Sequence, residues 1–184
     1  VSRNSDTADE TARVDALFRD KARAEIAFAE KLVPGKDAVR GQGDVLADVL
    51  LVKGEPGPGD LAKKRALAGD DGIAIGRALD ALGVSPARYA VCTRIGAASA
   101  KRVTRLHQLT EAIDPRTVVL LDAHAAADFA EAFGVRTPMP GQVVHVLGRE
   151  VLAVDGFEAS LADETRKRRA WAQLRALKRE TDPS

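Results

Sequence analysis

Hydrophobic and polar positions alternate between two periods along this chain. Val14, Leu17, Phe18, Ala22, Ile26 and Ala29 recur three and four residues apart, which lays them along one side of a helix. Asp6 or Thr7 offers a side chain to cap its start, and Pro34-Gly35 stops it. A polar, glycine-containing segment from Lys36 to Asp44 leads to the unbroken run Val49-Leu50-Leu51-Val52. Four successive apolar residues, β-branched at both ends, predict a strand buried on both faces. Regular structure is expected to break at Gly54-Glu55-Pro56-Gly57-Pro58-Gly59.

Helical spacing returns after Asp70-Asp71-Gly72 with Ile73, Ile75, Ala78, Leu79 and Leu82, and Gly83 stands where a helix closes. A strand is predicted from Tyr89 to Thr93. A helix follows through Val103, Leu106, Leu109 and Ile113, ending near Asp114-Pro115. Val118-Val119-Leu120-Leu121 is a second fully apolar strand, and a helix from His124 to Phe133 stops at Gly134. The period then changes. Val143 to Leu147 and Glu150 to Val154 flank Gly148-Arg149 as the strands of a hairpin flank its turn. A last helix from about Ser160 turns Leu161, Trp171, Leu174 and Leu177 to the core, and residues 181–184 fray.

Strands that alternate with helices predict a largely parallel sheet covered on both faces. Such sheets bind ligands beyond the carboxyl ends of their strands. The loop Lys53-Gly54-Glu55-Pro56-Gly57, the segment after Thr93, Asp122 and Asp155 are therefore predicted to converge on one site. Glu55, Asp60, Asp122 and Asp155 would supply carboxylates there. For Asp60 and Asp122, capping of the following helix is the preferred reading.

The 184 residues suffice for one core, read as an N-terminal helix (1–36) packing on an α/β domain (37–180). The single cysteine, Cys92, excludes an internal disulfide, a four-cysteine cluster and the usual structural zinc site, and is read as a small buried hydrophobe. His107, His124 and His145 lie far apart; His124 has Asp128 one turn on but no third ligand, so no metal is expected. The glycine loop lacks the Gly-Lys-Ser/Thr ending of a P-loop, Gly69, Gly72 and Gly76 are mis-spaced for a dinucleotide fingerprint, and no Gly-x-Ser-x-Gly elbow occurs. No cofactor is expected. A polar start without a hydrophobic stretch, and no apolar run near the ~18–20 residues of a membrane span, predict a cytoplasmic protein with no membrane partner. A net charge of +1 gives no global attraction to nucleic acid. Two local basic sets exist, Lys101-Arg102 with Arg105, and Arg166 to Arg169 with Arg175, Lys178 and Arg179. Each reads either as a solvated helix face or as a nucleic-acid contact.

The stretch from Val39 to Asp60, with Val49-Leu50-Leu51-Val52-Lys53-Gly54-Glu55-Pro56-Gly57 at its centre, resembles the uracil-DNA glycosylase superfamily, nearest to the branches with a Gly-Glu-Ala-Pro-Gly motif. Gly76-Arg77-Ala78-Leu79-Asp80 looks like that family's Gly-Arg-Leu-Leu-Asp helix. Asp114 to Leu121 with Ala125-Ala126 looks like its third strand and turn, and Lys167 with Trp171 to Leu174 looks like its closing helix. The resemblance covers roughly Val39 to Leu177. It implies a four-stranded parallel sheet sandwiched by helices, here with a C-terminal hairpin, and hydrolysis of the glycosidic bond of a base flipped out of DNA.

Carried over residue by residue, that chemistry is mostly missing. An ungapped match puts the water-positioning carboxylate at Gly54, whereas deleting one residue puts Glu55 there; Pro56 and Gly57 complete the motif. The stacking Phe falls at Asp71 or Gly72, the base-reading Asn at Cys92, and the glycine of the turn at Asp122. The His-Pro-Ser signature becomes Gly156-Phe157-Glu158, so the anion-stabilising His is absent, as are the cluster cysteines of the nearest branches. Loss of one anion stabiliser costs ~10²–10³ in rate. Three readings follow: a DNA-binding protein with weak or no hydrolysis that uses Lys101, Arg102 and Arg105; an enzyme of altered chemistry on a small cationic or nucleoside-like ligand; or a module whose first or last helix docks a protein.

Overall fold

The computed structural model describes residues 3–36, 38–96 and 99–180. It begins with a long helix, α1 (Arg3–Glu30), and a two-residue strand, β1 (Gln42–Gly43). Next come β2 (Val49–Lys53), α2 (Pro58–Lys63), α3 (Asp70–Ala81), β3 (Arg88–Cys92), α4 (Ser99–Ile113), β4 (Thr117–Leu120) and α5 (Ala123–Phe133). The chain closes with β5 (Val143–Val146), β6 (Arg149–Ala153), α6 (Phe157–Ser160), α7 (Glu164–Leu174) and α8 (Ala176–Glu180).

The sheet has six strands and is mixed, in the order β1-β3-β2-β4-β6-β5. The four inner strands run parallel, and antiparallel partners close both edges, β1 on β3 and β5 on β6. The expectation of a four-stranded parallel sheet is corrected by these edges. Strand β1 lies in the polar, glycine-containing segment for which no strand was predicted, and its pairing needs Gly43. A Cβ there would stand 2.1 Å from the Arg88 carbonyl oxygen, and φ is +133°.

The apolar runs of β2 and β4 are buried on both faces, as predicted, and most of β3 and β6 is buried with them. Leu50, Val52, Val91, Val118, Leu120 and Val151 pack with Ile26, Leu106, Leu109 and Phe129 under α1, α4 and α5. Val49, Leu51, Cys92, Val119, Leu121 and Leu152 pack with Ile75, Leu79 and Leu174 under α3 and α7. From β2 the chain steps outward to β3, then returns past β2 to β4 and β6. Right-handed crossovers in opposite directions put α3 on one face and α4 and α5 on the other. The sheet's switch point therefore falls between the carboxyl ends of β2 and β4.

Several expectations fail locally. Helix α1 starts at Arg3, so Asp6 and Thr7 lie inside it. Val14, Leu17 and Phe18 are 44, 70 and 58% exposed; only Ala22, Ile26 and Ala29 of the predicted stripe are buried. The glycine–proline loop contains α2, whose first residue, Pro58, has a φ preset for that position and no N–H to lose there. The hairpin turn is Leu147-Gly148 rather than Gly148-Arg149, because Arg149 pairs with Val146 and both turn residues take positive φ, as a type I′ turn requires. The last helix is broken into three, and Trp171 is exposed while Ala170, Leu174 and Leu177 carry the buried side. The fraying expected at residues 181–184 lies outside the described residues. Among the described residues no helix is long and apolar enough to cross a membrane.

Candidate functional site

At the switch point, strand alternation points the last side chain of β2, Lys53, onto the α3 and α7 face. There it is 3% exposed. Its Nζ lies 2.9 Å from Asp60 Oδ2, 2.6 Å from Asp71 Oδ2 and 2.9 Å from Glu158 Oε2. An ammonium has three N–H donors, and all three are engaged. Asp60, in the first turn of α2, also accepts the Gly57 N–H at 2.9 Å and the Ala68 N–H at 2.8 Å. Asp71, at the start of α3, accepts the Gly72 N–H at 2.9 Å. Asp60 and Asp71 are buried, whereas Glu158 on α6 is half-exposed. Burial alone would lower the Lys53 pKa, but the hydrogen bonds of Asp71, Asp60 and Glu158 outweigh it and raise the pKa above its ordinary value. Lys53 is therefore a fixed cation and not a nucleophilic amine.

Cys92 ends β3 beside this group, with Sγ 3.9 Å from Asp60 Oδ2. Burial, reinforced by the Asp60 charge, pushes its thiol up to about 12, so it stays protonated at neutral pH and is not a nucleophile. It offers no polar amide edge in the place of the family's Asn.

A cavity of about 210 Å³ opens above the network, between Lys53, Glu55, Asp71, Asp122, Phe157 and Glu158. Asp122 caps α5 by accepting the Ala125 N–H at 2.8 Å on Oδ1, and its Oδ2 takes the Gly54 N–H at 2.8 Å. Both oxygens are thus committed to structure. Asp122→Ala is expected to destabilise the fold by about 1–2 kcal/mol, at the upper end for an N-cap because the Gly54 tether goes with it. Urea denaturation checks this, with Asp122→Asn recovering only part of the loss, because its single amide oxygen can accept one of the two N–H groups and its NH2 donor faces the other.

Gly54 is packed against the start of α5. A Cβ on it would lie 2.5 Å from His124 Cβ and 2.6 Å from Asp122 Oδ1, so this backbone has no room for a carboxylate at that position. Glu55 is exposed at the mouth, its Oε1 3.5 Å from His124 Nδ1. Pro56 precedes Gly57, the N-cap of α2, where a Cβ would meet Glu158 Oε1 at 2.3 Å. Asp155, exposed, pairs with Arg169 at 3.4 Å. Gly156 takes φ +62° as it turns the chain into α6 at the cavity wall.

The basic candidates separate. Lys101 is exposed on the first turn of α4. Arg102 is partly buried, its Nε 3.1 Å from Asp128 Oδ1; Arg94, just past β3, reaches Oδ2 of the same carboxylate at 3.3 Å. Thr93 donates its hydroxyl to Asp128 Oδ2 at 2.6 Å. Arg105 is 1% exposed; it grips Glu30 through Nε at 3.2 Å and a terminal nitrogen at 2.8 Å, and donates to the Cys92 carbonyl at 2.8 Å. It ties α1 to α4 and does not reach the surface, which corrects its place among the DNA contacts. Among the described residues no three His, Cys, Asp or Glu side chains are grouped to hold a metal ion.

Of the segments that strand order was expected to bring together, Glu55 and Asp122 line the cavity, whereas Asp155 pairs with Arg169 and Thr93 with Asp128; Asp71 and Gly156, singled out through the resemblance, line it as well. Lys53 was named only as part of the loop, and Phe157 and Glu158 only as the residues standing at the family's signature; none of the three was given a role. A lysine directly after an apolar strand was the available signal, since alternation carries its side chain inward. Arg94 and Asp128 gave no signal of their pairing.

The fold and this cleft define an α/β protein with a carboxyl-end site built on a buried lysine. No protein-family model matches the chain, and no curated protein sequence matches it.

Proposed function

We propose that this chain is a DNA-binding protein on a glycosylase-like scaffold, with weak or no hydrolysis of the N-glycosidic bond. The observation that carries the reading is Gly54. A cleft persists at the switch point, yet the position an ungapped match gives to the water-positioning carboxylate has its Cβ space filled by His124 and Asp122. Four further features support it: the four parallel inner strands, a cavity of single-base size class, the aromatic wall at Phe157, and the cations Lys101, Arg102 and Arg94 near the same end of the sheet. Phosphates would meet the cations while a displaced base enters the cleft.

The test is fluorescence anisotropy with single- and double-stranded oligonucleotides across a salt series. Affinity is expected to fall steeply with salt, and Lys101→Ala to lessen the log–log slope by about 0.7–0.9. Binding that is unmeasurable at low salt overturns the proposal. Oligonucleotides carrying uracil, hypoxanthine or xanthine should survive incubation and alkali intact; cleavage abolished by Glu55→Ala would make this a working glycosylase instead.

A second reading, an enzyme of altered chemistry, is favoured by one observation. Glu55, Asp71, Asp122 and Glu158 line one cavity whose lysine has its three donors already spent on carboxylates. Such a wall favours a ligand that brings N–H donors.

A further inference from the structure

Helix α1 is covered over only part of its length. Every described side chain from Asp9 to Phe18 is exposed, and the helix meets α4 through Ala22, Ile26 and Ala29. Nine large apolar side chains are exposed among the described residues, and four of them, Val14, Leu17, Phe18 and Phe28, lie on this one helix. Their placement is ordered. Glu10, Val14, Leu17, Lys21, Ala24 and Phe28 alternate four and three residues apart, which is the seam spacing of a coiled coil, and all six are exposed. The inward stripe of Ala22, Ile26 and Ala29 is separate from it. A helical stretch as exposed as Asp9 to Phe18 is marginal in water, because packing of an apolar face supplies most helical stability.

We infer that the exposed stretch of α1 around Val14 and Leu17 pairs antiparallel with α1 of a second copy of this chain. The two seam charges choose the register. In a two-fold antiparallel pair centred between Asp15 and Ala16, Val14 faces Leu17 of the other copy and Glu10 faces Lys21, each contact occurring twice. Sliding the pair by one heptad sets Lys21 against Leu17 and Glu10 against Phe28, so both Glu10–Lys21 attractions are lost. Polar seam residues fix register in this way. The chosen centre also lies in the exposed stretch from Asp9 to Phe18. The contact is isologous and closes on itself.

Sedimentation equilibrium of the full chain over a micromolar concentration range tests this. The expected mass is twice the 19.5 kDa of one chain, falling toward one on dilution. Leu17→Glu should yield a monomer. Because that change can also unwind the helix, the deciding variants are charge swaps. Glu10→Lys alone and Lys21→Glu alone each replace two attractions by two repulsions and should weaken the dimer on the order of tenfold. The double swap should restore it to near the starting affinity. A single-chain mass at every concentration overturns the inference, and so does a dimer that responds to neither swap or is not rescued by the double one.

Discussion

Lys53→Met is expected to destabilise the protein by about 3–5 kcal/mol, enough to unfold it if the total is at the low end of the usual range. The reason is asymmetry. The wild-type ammonium is 3% exposed and its three N–H groups face Asp60, Asp71 and Glu158. Removing it leaves two buried carboxylates with no cation, while the thioether restores only the packing. Asp60 and Asp71 still hold the backbone N–H groups of Gly57, Ala68 and Gly72, so they cannot turn out to water without unmaking the starts of α2 and α3. Urea unfolding at several pH values is the measurement. The variant should recover part of its deficit as acid neutralises the carboxylates. The wild type should behave in the opposite sense. A lysine whose folded pKa is raised contributes fully below its ordinary 10.5 and loses that contribution as pH climbs through the folded value. Wild-type stability from this group is thus flat through neutral pH and falls only in strong alkali. A variant as stable as wild type near pH 7 would mean that the network is solvated in solution.

The second large effect is expected at Arg105. Arg105→Ala should cost about 3 kcal/mol, the lower end for a broken buried pair, because Glu30 keeps the Arg40 guanidinium at 3.0 Å and the Gly41 N–H at 3.2 Å. The loss should appear as early release of α1, seen as faster amide exchange in the segment around Ile26 to Glu30. A pH test isolates the partner. Burial pushes the Glu30 carboxyl up, but the Arg105 charge, with hydrogen bonds from Arg105, Arg40 and Gly41, holds it below the ordinary 4.5. Its stabilisation is therefore present above pH 4.5 and lost as pH falls through the depressed value. Glu30→Gln should flatten that acid limb. DNA affinity that falls selectively in Arg105→Ala, with the fold intact, would return this residue to the interface.

These predictions rest on residues of unequal legibility. The apolar runs at Val49 to Val52 and Val118 to Leu121 announced inner strands, since only a strand covered on both faces has no polar position. Asp122 announced a cap, and an Asp before an alanine-rich run delivered one. The edge strand at Gln42-Gly43 was hidden, because two residues carry no period and their pairing depends on how near Arg88 passes. Trp171 and Leu17 misled for one reason. Helical spacing states which residues share a side, and not whether another element arrives to cover it.

The alternation of strands and helices, and thereby the end of the sheet at which a cleft opens, could be read from the residue pattern. Strand order did this without detail, because every inner strand delivers its carboxyl end to the same edge. What that edge contains depended on packing between distant segments. That packing placed Glu158, about a hundred residues away in the chain, on the ammonium of Lys53. It also turned Arg105 from a surface cation into the clasp between α1 and α4, and closed the space at Gly54. Charge pairing and Cβ clearance are set by distances between segments remote in sequence, and no local pattern of residues records those distances.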